Sequence, residues 1–375
     1  MPHALHHVDF HDRRALPANS QVPVKWQRVL PAAGDGKRRR REPARRRSQR
    51  KAMTSYRLRC YLNIGLALAV LASGVTRICV AQAKANESVT QKAERQFQNA
   101  PFNTVPLGKG IFLFSGDGAN VVAIADDSST VLVDSGIASR VDELAQAIGS
   151  ATHRPVTTLI NTTWHFDHTG GNTFFGSGGV VIVAQENIAK ELASGRSAPF
   201  IGLRDGPHPP QGLPTRTFKT NLAIEQGLEQ LDLVNYGSAH TDGDTVIYVA
   251  PANIAVVGDI FSNPYYPVID LSSGGSIDGL IYTVDQVLTH INTETKVIPG
   301  HGLPATRADL EAYRDMLVSV RDRIRSLIRA GKSIEQVVAA DPARDFDAKW
   351  GGGYVPSATF VEMVFASLTA ADQQN

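Results

Sequence analysis

Cysteine is the scarcest residue with chemical reactivity in this chain, represented only by Cys60 and Cys79 among 375 residues. Both cysteines precede residue 84, so the remainder of the chain contains neither a thiol nor a disulfide. This absence excludes a cysteine nucleophile, a cysteine-ligated metal and a disulfide framework from residues 84–375. A segment without thiols also suits an oxidising compartment.

Long apolar runs are lacking as well. The most apolar segment extends from Ile64 to Val75 and is too short to span a bilayer comfortably. It follows Arg57 and Arg59 and precedes Ala81-Gln82-Ala83, a pattern typical of a secretory signal peptide. We therefore predict that residues 53–83 are a signal peptide, cleaved after Ala83. The mature protein is then expected to be periplasmic or secreted, without a stable membrane anchor, and a retained anchor is the weaker alternative.

Basic charge is concentrated at the start of the chain. Residues 1–52 carry 14 Lys and Arg against 4 Asp and Glu, which is compatible with a tail that binds nucleic acid or a membrane surface, or with a disordered extension. We favour a disordered basic extension upstream of the true translation start, because the signal follows it. Residues 84–375 carry 21 basic and 32 acidic residues, a net charge of −11 (21 − 32), so no nucleic-acid partner is expected. Residues 84–101 are predicted to be a linker.

The rest of the chain alternates short strands with helices. Val156–Ile160 is predicted to be a buried strand, Ser139 to cap a helix through Ile148, and Thr306 to cap a long amphipathic helix. Two halves of this kind favour an α+β, four-layer αββα sandwich over a single parallel sheet. We predict one such domain over residues 102–305, with a C-terminal helical extension of the same domain over 306–375.

Metal-binding residues follow the strand that ends at Ile160. His165, Asp167 and His168 lie within four positions, and Gly170-Gly171 then allows a tight turn. Imidazole and carboxylate are ligands of zinc and similar metals, and α/β proteins place chemistry at strand ends. Histidines that merely cap a loop are the structural alternative, but this clustering favours a metal site.

The segment resembles the signature of the metallo-β-lactamase superfamily, which is His-x-His-x-Asp-His. His165, Asp167 and His168 occupy its last three ligand positions, whereas Thr163 stands where its first histidine should be. Ala239-His240-Thr241 with Gly243-Asp244, Gly258-Asp259 and Ile298-Pro299-Gly300-His301 resemble later motifs of the family, in the same order. The resemblance covers residues 102–305 and implies the metallo-β-lactamase fold.

The resemblance also implies two metal sites. One would use His165 and His240 together with the position of Thr163, and the other would use Asp167, His168 and His301, with Asp259 bridging the two. Asp244 would orient the loop or a ligand residue without binding the metal itself. Asp134 is predicted to be a buried hydrogen-bonding residue rather than a catalyst. Two Zn²⁺ ions are expected, and one ion is the alternative because of Thr163.

A pair of such ions shares a hydroxide whose pKa is near neutrality, and that hydroxide can attack a carbonyl carbon. Asp167 is the predicted catalytic residue, orienting the nucleophile and passing its proton to the leaving group. For Thr163, three outcomes stay open: water replaces the missing ligand, a single-zinc enzyme results, or the protein is a non-catalytic binding protein.

The predicted activity is metal-dependent hydrolysis of an amide, lactone or ester bond in a small-molecule substrate, with a β-lactam as one candidate. The alternatives are a thioester or lactone hydrolase of the glyoxalase-II-like type and a periplasmic binding module with a structural metal. The proline-rich loop 199–214 is predicted to form a wall of the substrate cleft, with His208 exposed, and Tyr265 and Tyr266 either line the cleft or pack the core. Oligomeric state is left open.

Overall fold

The computed structural model describes residues 102–116 and 118–372. The predicted basic extension, signal peptide and linker, residues 1–52, 53–83 and 84–101, lie outside the described residues. Within the described part, no helix combines the length and apolar character needed to cross a membrane.

Seven strands form the first sheet: β1 (Asn103–Gly108), β2 (Ile111–Ser115), β3 (Val121–Ala125), β4 (Thr130–Val133), β5 (Val156–Ile160), β6 (Val181–Gln185) and β9 (Arg216–Phe218). Strands β1 to β4 form an antiparallel meander, whereas β5, β6 and β9 extend it by parallel pairing. Between β6 and β9, strands β7 (Arg196–Ala198) and β8 (Leu203–Asp205) form a separate two-stranded ribbon. The helices in this first half of the domain are α1 (Val141–Thr152), α2 (Phe166–Thr169), α3 (Asn172–Ser177) and α4 (Glu186–Ser194).

The second sheet has five strands: β10 (Asn221–Gln226), β11 (Glu229–Val234), β12 (Val246–Ala250), β13 (Ile254–Asn263) and β14 (Lys296–Gly302). Strands β10 to β13 are antiparallel, and β14 joins β13 in parallel. The crossover between β13 and β14 contains α5 (Ile277–His290). The chain continues with α6 (Arg307–Arg329), α7 (Ile334–Ala339), α8 (Arg344–Trp350) and α9 (Ser357–Asp372).

Apolar side chains hold the two sheets face to face. One buried cluster takes members from both sheets, among them Leu113, Val131 and Ile160 from the first and Leu233, Ile247 and Ile298 from the second. Leu144 and Ile148 of α1 pack on the outer face of the first sheet, and α5, α6 and α9 cover the second sheet. This layering is the predicted α+β, four-layer αββα sandwich, so the fold prediction is confirmed.

Helix starts show where local prediction succeeds and fails. Thr306 caps α6 as predicted, because its side chain accepts from the Asp309 amide and Asp309 reciprocates. The predicted cap at Ser139 is wrong. A 3₁₀ turn occupies residues 138–140, and α1 begins at Val141 without a side-chain cap.

Hydrogen bonds tie the loops of the two sheets together at one edge of the sandwich. The amide of Asn120 donates to Gly300 O at 2.7 Å, and its side chain donates to the carbonyls of Pro299 and Gly302. The amide of Thr245 donates to Thr162 O at 2.8 Å. The loops that carry the predicted ligands are thereby held side by side.

Candidate metal centre

Two groups of side chains converge at this edge. His165, His240 and Asp259 form the first cluster, and Asp167, His168 and His301 form the second cluster. Within each cluster the candidate ligand atoms all lie within 4.8 Å of one another. All six residues predicted as metal ligands therefore belong to one of the two clusters, although they come from both sheets.

The local backbone explains why three of the six residues share one turn. Strand β5 ends at Ile160, and α2 begins at Phe166, directly after His165. At the end of neighbouring β4, Asp134 has a left-handed backbone, with φ of 62°. Its carboxylate accepts from the Thr162 amide at 2.8 Å and from the Thr162 hydroxyl at 2.6 Å. Asp134 thus anchors the start of the turn, consistent with the hydrogen-bonding role predicted for it.

Glycines allow Asp259 to approach the other ligands. Gly258 has a φ of 52°, a backbone conformation that side chains disfavour. On parallel β14, a Cβ atom at Gly300 would lie 2.2 Å from Oδ1 of Asp259, so only glycine leaves room for this carboxylate.

Each of the four imidazoles has one ring nitrogen occupied by an acceptor. Nδ1 of His168 lies 2.7 Å from Asp134 Oδ2, and Nδ1 of His301 lies 2.9 Å from Gly118 O. Nδ1 of His240 lies 3.2 Å from Asp244 Oδ1. These three histidines consequently present Nε2 to the clusters, since the hydrogen-bonded nitrogen carries the proton.

His165 is hydrogen-bonded through the opposite ring nitrogen. Its Nε2 lies 3.4 Å from Asp270 Oδ2, which directs the Nδ1 lone pair to the first cluster. The second oxygen of Asp270 accepts from the Ser272 amide and hydroxyl, and the Asp270 amide donates to His240 O at 2.9 Å. Burial would raise the pKa of Asp270, but the hydrogen bond and charge of His165 lower it.

Asp259 faces both clusters. Its Oδ1 lies 3.1 Å from His168 Nε2 and 3.3 Å from His301 Nε2, whereas its Oδ2 lies 3.7 Å from His240 Nε2. A carboxylate with one oxygen toward each group has the geometry of a bridging ligand, which is the position predicted for Asp259.

The donor atoms fit bound metal ions. His168 Nε2, His240 Nε2 and Asp259 Oδ1 are buried. Although both nitrogens lie within 3.7 Å of the Asp259 carboxylate, none of the three atoms makes a hydrogen bond of suitable geometry within the described residues. Buried polar atoms are costly when unpaired, and a cation would satisfy all three. Four imidazoles and two carboxylates are also the nitrogen and oxygen donor set that suits zinc.

Without a metal, the clusters hold protons. Burial would lower the pKa of His168, but the charges of Asp259 and Asp134 outweigh burial and raise that pKa well above its ordinary value. Burial also opposes protonation of His240, yet Asp244 and Asp259 raise its pKa to about 9. Burial would raise the pKa of Asp259, but His168 and His301 lower it well below the usual range. A metal ion must therefore displace protons from these imidazoles.

Thr163, at the position of the family's first histidine, belongs to neither cluster. Its side chain is fully buried, and its hydroxyl oxygen has no hydrogen-bond partner among the described residues. The first cluster therefore has one imidazole fewer than the family signature, as the sequence indicates. Asp244 also lies outside both clusters, where it accepts from the Thr241 amide and hydroxyl besides contacting His240.

Sequence reasoning missed several residues around the clusters. Asp270 lies within an apolar stretch, and no spacing rule connects it with His165, which is 105 positions earlier. The reciprocal pair of Asn161 and Asn172 was missed as well, with Ser135 donating to Asn172 Oδ1 at 2.9 Å. Polar residues just after strand ends are a general signal for Asn161 and Ser135, but nothing local marks Asp270.

Other predicted side chains take different positions. His208 is not exposed, because only 11% of its side chain is accessible and its Nε2 lies 3.4 Å from Asp205 Oδ2. Tyr266 packs mainly in the core, where it stacks on Phe360 and donates to Asp347 at 2.7 Å. Tyr265 is only partly buried and lines a cleft of about 480 Å³ that opens beside the clusters.

The chain is similar in sequence to known proteins. The family model described as "Metallo-beta-lactamase superfamily" matches residues 115–323. A metallo-beta-lactamase type 2 from Bacteroides fragilis is 22% identical over 185 residues, which is 49% of this chain and 69% of that relative.

Solved structures of similar proteins include a metallo-beta-lactamase from Pontibacter korlensis, at 19% identity and a TM-score of 0.48, covering 58% of this chain and 99% of that one. Another is a metallo-beta-lactamase from Hirschia baltica, at 19% identity and a TM-score of 0.47, covering 58% of this chain and 98% of that one.

Proposed function

The chain belongs to the metallo-β-lactamase superfamily, and from that premise we propose that it is a zinc-dependent hydrolase of small acyl compounds. The observation that carries the proposal is the convergence of six metal-binding side chains, in two adjoining clusters, beside an open cleft. Each cluster contributes residues to the lining of that cleft, among them His165, Asp167, Asp259 and His301.

The residues that would hold the ions are the members of the two clusters, with Asp259 shared between them. Bound zinc would supply Lewis acidity and lower the pKa of a water molecule toward neutrality. The protein's own contribution is to orient the imidazoles and to fix which ring nitrogen faces the ions, through Asp134, Asp244, Asp270 and the carbonyl of Gly118.

Asp167 is the proposed proton carrier. Its Oδ2 lies 3.3 Å from His301 Nε2, and its side chain reaches the lining of the cleft. There the carboxylate can accept a proton from the attacking water and return it to the departing oxygen, sulfur or nitrogen atom. The overall reaction adds water across the acyl bond, giving a carboxylic acid and the protonated leaving group.

A β-lactam, a lactone, a thioester and a simple ester are all candidate substrates. The glyoxalase-II-like type stays a prediction, as do secretion through residues 53–83 and a periplasmic or extracellular location. A metal-containing binding module without turnover is the alternative from a different class of protein.

Metal content and turnover test the proposal together. We expect the purified protein to bind zinc, as measured by mass spectrometry of the metal, and to hydrolyse at least one aryl ester, thioester, lactone or nitrocefin. Removal of metal by a chelator should abolish turnover, and added zinc should restore it.

A matched pair of variants separates chemistry from folding. Asp167→Asn should lower turnover by at least about 100-fold, given that proton transfer alone contributes that much. Asp127→Asn, on an exposed turn, should behave as wild type. Zinc binding without turnover of any of these compounds would favour the binding module.

A further inference from the structure

The walls of the cleft differ in character from its floor. The clusters form the floor, whereas the walls carry aliphatic and aromatic side chains from three separate segments. These are Ile201 and Leu203 near the β7–β8 ribbon, Tyr265 and Val268 after β13, and Tyr354 and Val355 before α9.

The third segment, residues 351–355, lies beyond the part of the chain that matches the family model. It belongs to the predicted C-terminal helical extension, and it contributes to the lining of the cleft. A Cβ atom at Gly353 would lie 2.7 Å from ring atoms of Tyr265, so this backbone rests closely against the tyrosine. The Tyr354 hydroxyl reaches across to Ile201 O at 3.5 Å. Tyr265 and Tyr354 are thus positioned as aromatic surfaces on one side of the opening.

No lysine or arginine is among the described residues that line the cleft. Its ionisable groups, apart from tyrosines, are the cluster residues His165, Asp167, Asp259 and His301. The charge of bound metal would be partly offset by the carboxylates of Asp167 and Asp259. A free carboxylate on the substrate, away from the reacting bond, would therefore contact apolar walls that offer no cation to pair with it. An unpaired buried charge is strongly disfavoured.

We propose that this cleft selects uncharged acyl substrates, namely esters, thioesters or lactones with an alkyl or aryl group, over compounds that carry a free carboxylate near the reacting bond. The inference rests on the proposed hydrolase function and narrows its substrate class. It disfavours β-lactams, whose ring system carries such a carboxylate. In the reaction, water adds to the acyl carbon, the bond to the leaving oxygen or sulfur breaks, and that atom takes up the proton.

The test compares two esters with the same leaving group. One is the mono-4-nitrophenyl ester of adipic acid, which keeps a free carboxylate, and the other is its methyl ester, which is neutral. We expect kcat/KM of the zinc-loaded protein to be at least about 10-fold higher for the neutral ester, the ratio that corresponds to ~1.4 kcal/mol. Equal or faster hydrolysis of the carboxylate form would overturn the inference.

A charge introduced into the wall should change this ratio. Ile201 is partly exposed next to the ribbon, so Ile201→Arg can place a cation at the mouth of the cleft without disturbing the hydrophobic core. We expect Ile201→Arg to raise kcat/KM for the carboxylate ester about 10-fold relative to Ile201→Gln, which removes the same apolar surface without adding charge. If kcat/KM for the carboxylate ester is the same in Ile201→Arg as in Ile201→Gln, the inference is contradicted.

Binding separates this inference from the proposed function. The 4-nitroanilides that correspond to the two esters resist hydrolysis and can be titrated by calorimetry. If neither ester is turned over, the hydrolase proposal fails. Tighter binding of the neutral anilide would then still support the preference of the cleft, and equal or tighter binding of the anionic anilide would refute it.

Discussion

The two clusters of candidate ligands face the same carboxylate, that of Asp259, but they are not built equally well. In the second cluster, His168 and His301 are held by acceptors at 2.7 Å and 2.9 Å. In the first cluster, His240 and His165 have acceptors at 3.2 Å and 3.4 Å, and Thr163 stands at the position of a third imidazole. The second cluster should therefore bind its ion first and more tightly, because fewer ligands and looser supports lower metal affinity.

The largest effect is expected where the two clusters meet. Asp259→Asn removes the charge that faces both clusters, so both ions should bind more weakly. Hydrolysis should fall by more than about 100-fold, because about 100-fold is the upper range for loss of a residue that only hydrogen-bonds a metal ligand. Metal content and kcat/KM measure this, with Asp127→Asn as the exposed control. Loss of only one ion would show that Asp259 serves a single cluster.

The next largest effects should separate the clusters. Asp134→Asn should weaken the ion of the second cluster, and Asp270→Asn the ion of the first, each by about 10–100-fold, since each carboxylate orients one ligand histidine. Stepwise chelator competition on the cobalt-loaded protein resolves the two affinities. Asp134→Asn should also lower the unfolding temperature, because Asp134 anchors Thr162 as well.

If Asp270→Asn leaves both affinities unchanged, then its contact with His165 does not support the first cluster. If it weakens the second ion instead, the assignment of the two aspartates to separate clusters is wrong.

Restoring the missing imidazole should reduce the difference between the clusters. Thr163→His is expected to raise the affinity of the first cluster by about 10-fold, or ~1.4 kcal/mol. Thr163→Val is the matched control, since it removes only the unpaired hydroxyl and keeps the shape of the side chain. The same chelator competition gives both results. A gain in Thr163→Val as large as in Thr163→His would mean that the imidazole is not the cause.

The last prediction concerns pH. The pKa of His240 in the metal-free protein is raised to about 9, so its proton stabilises that form fully below about 6.5 and the stabilisation is lost as pH rises through 9. Metal-loaded protein has a neutral His240 and loses nothing over this range. The gap in free energy of unfolding between loaded and metal-free protein should therefore widen with pH, by up to ~1.4 kcal/mol per pH unit for each displaced proton.

Thermal unfolding of both forms between pH 6.5 and 9, without excess zinc, measures this gap. A gap that stays constant or narrows as pH rises would contradict the proposed competition between protons and metal.

Much of this site could be predicted from single segments of the chain. His165, Asp167 and His168 are neighbours in sequence, directly after a strand whose bounds, Val156–Ile160, were predicted correctly. His240, Asp259 and His301 lie in separate short motifs that resemble those of the family, and these motifs singled them out, although Asp259 lies within β13 rather than at a strand end. By contrast, α8 and β10 were not predicted, because each is short and contains too few apolar positions to establish a period.

The sequence by itself determined the sandwich, the identity of the six candidate ligands and the gap at Thr163, because each follows from local periodicity or from a short motif. Only the tertiary structure decided which ligands share a cluster, that Asp270 supports His165, and that Tyr354 joins Tyr265 at the cleft. Asp270 lies 105 positions after His165, and Tyr354 lies 89 positions after Tyr265 (354 − 265). These contacts depend on the packing of two sheets and a C-terminal segment, and no local pattern in the chain encodes such distances.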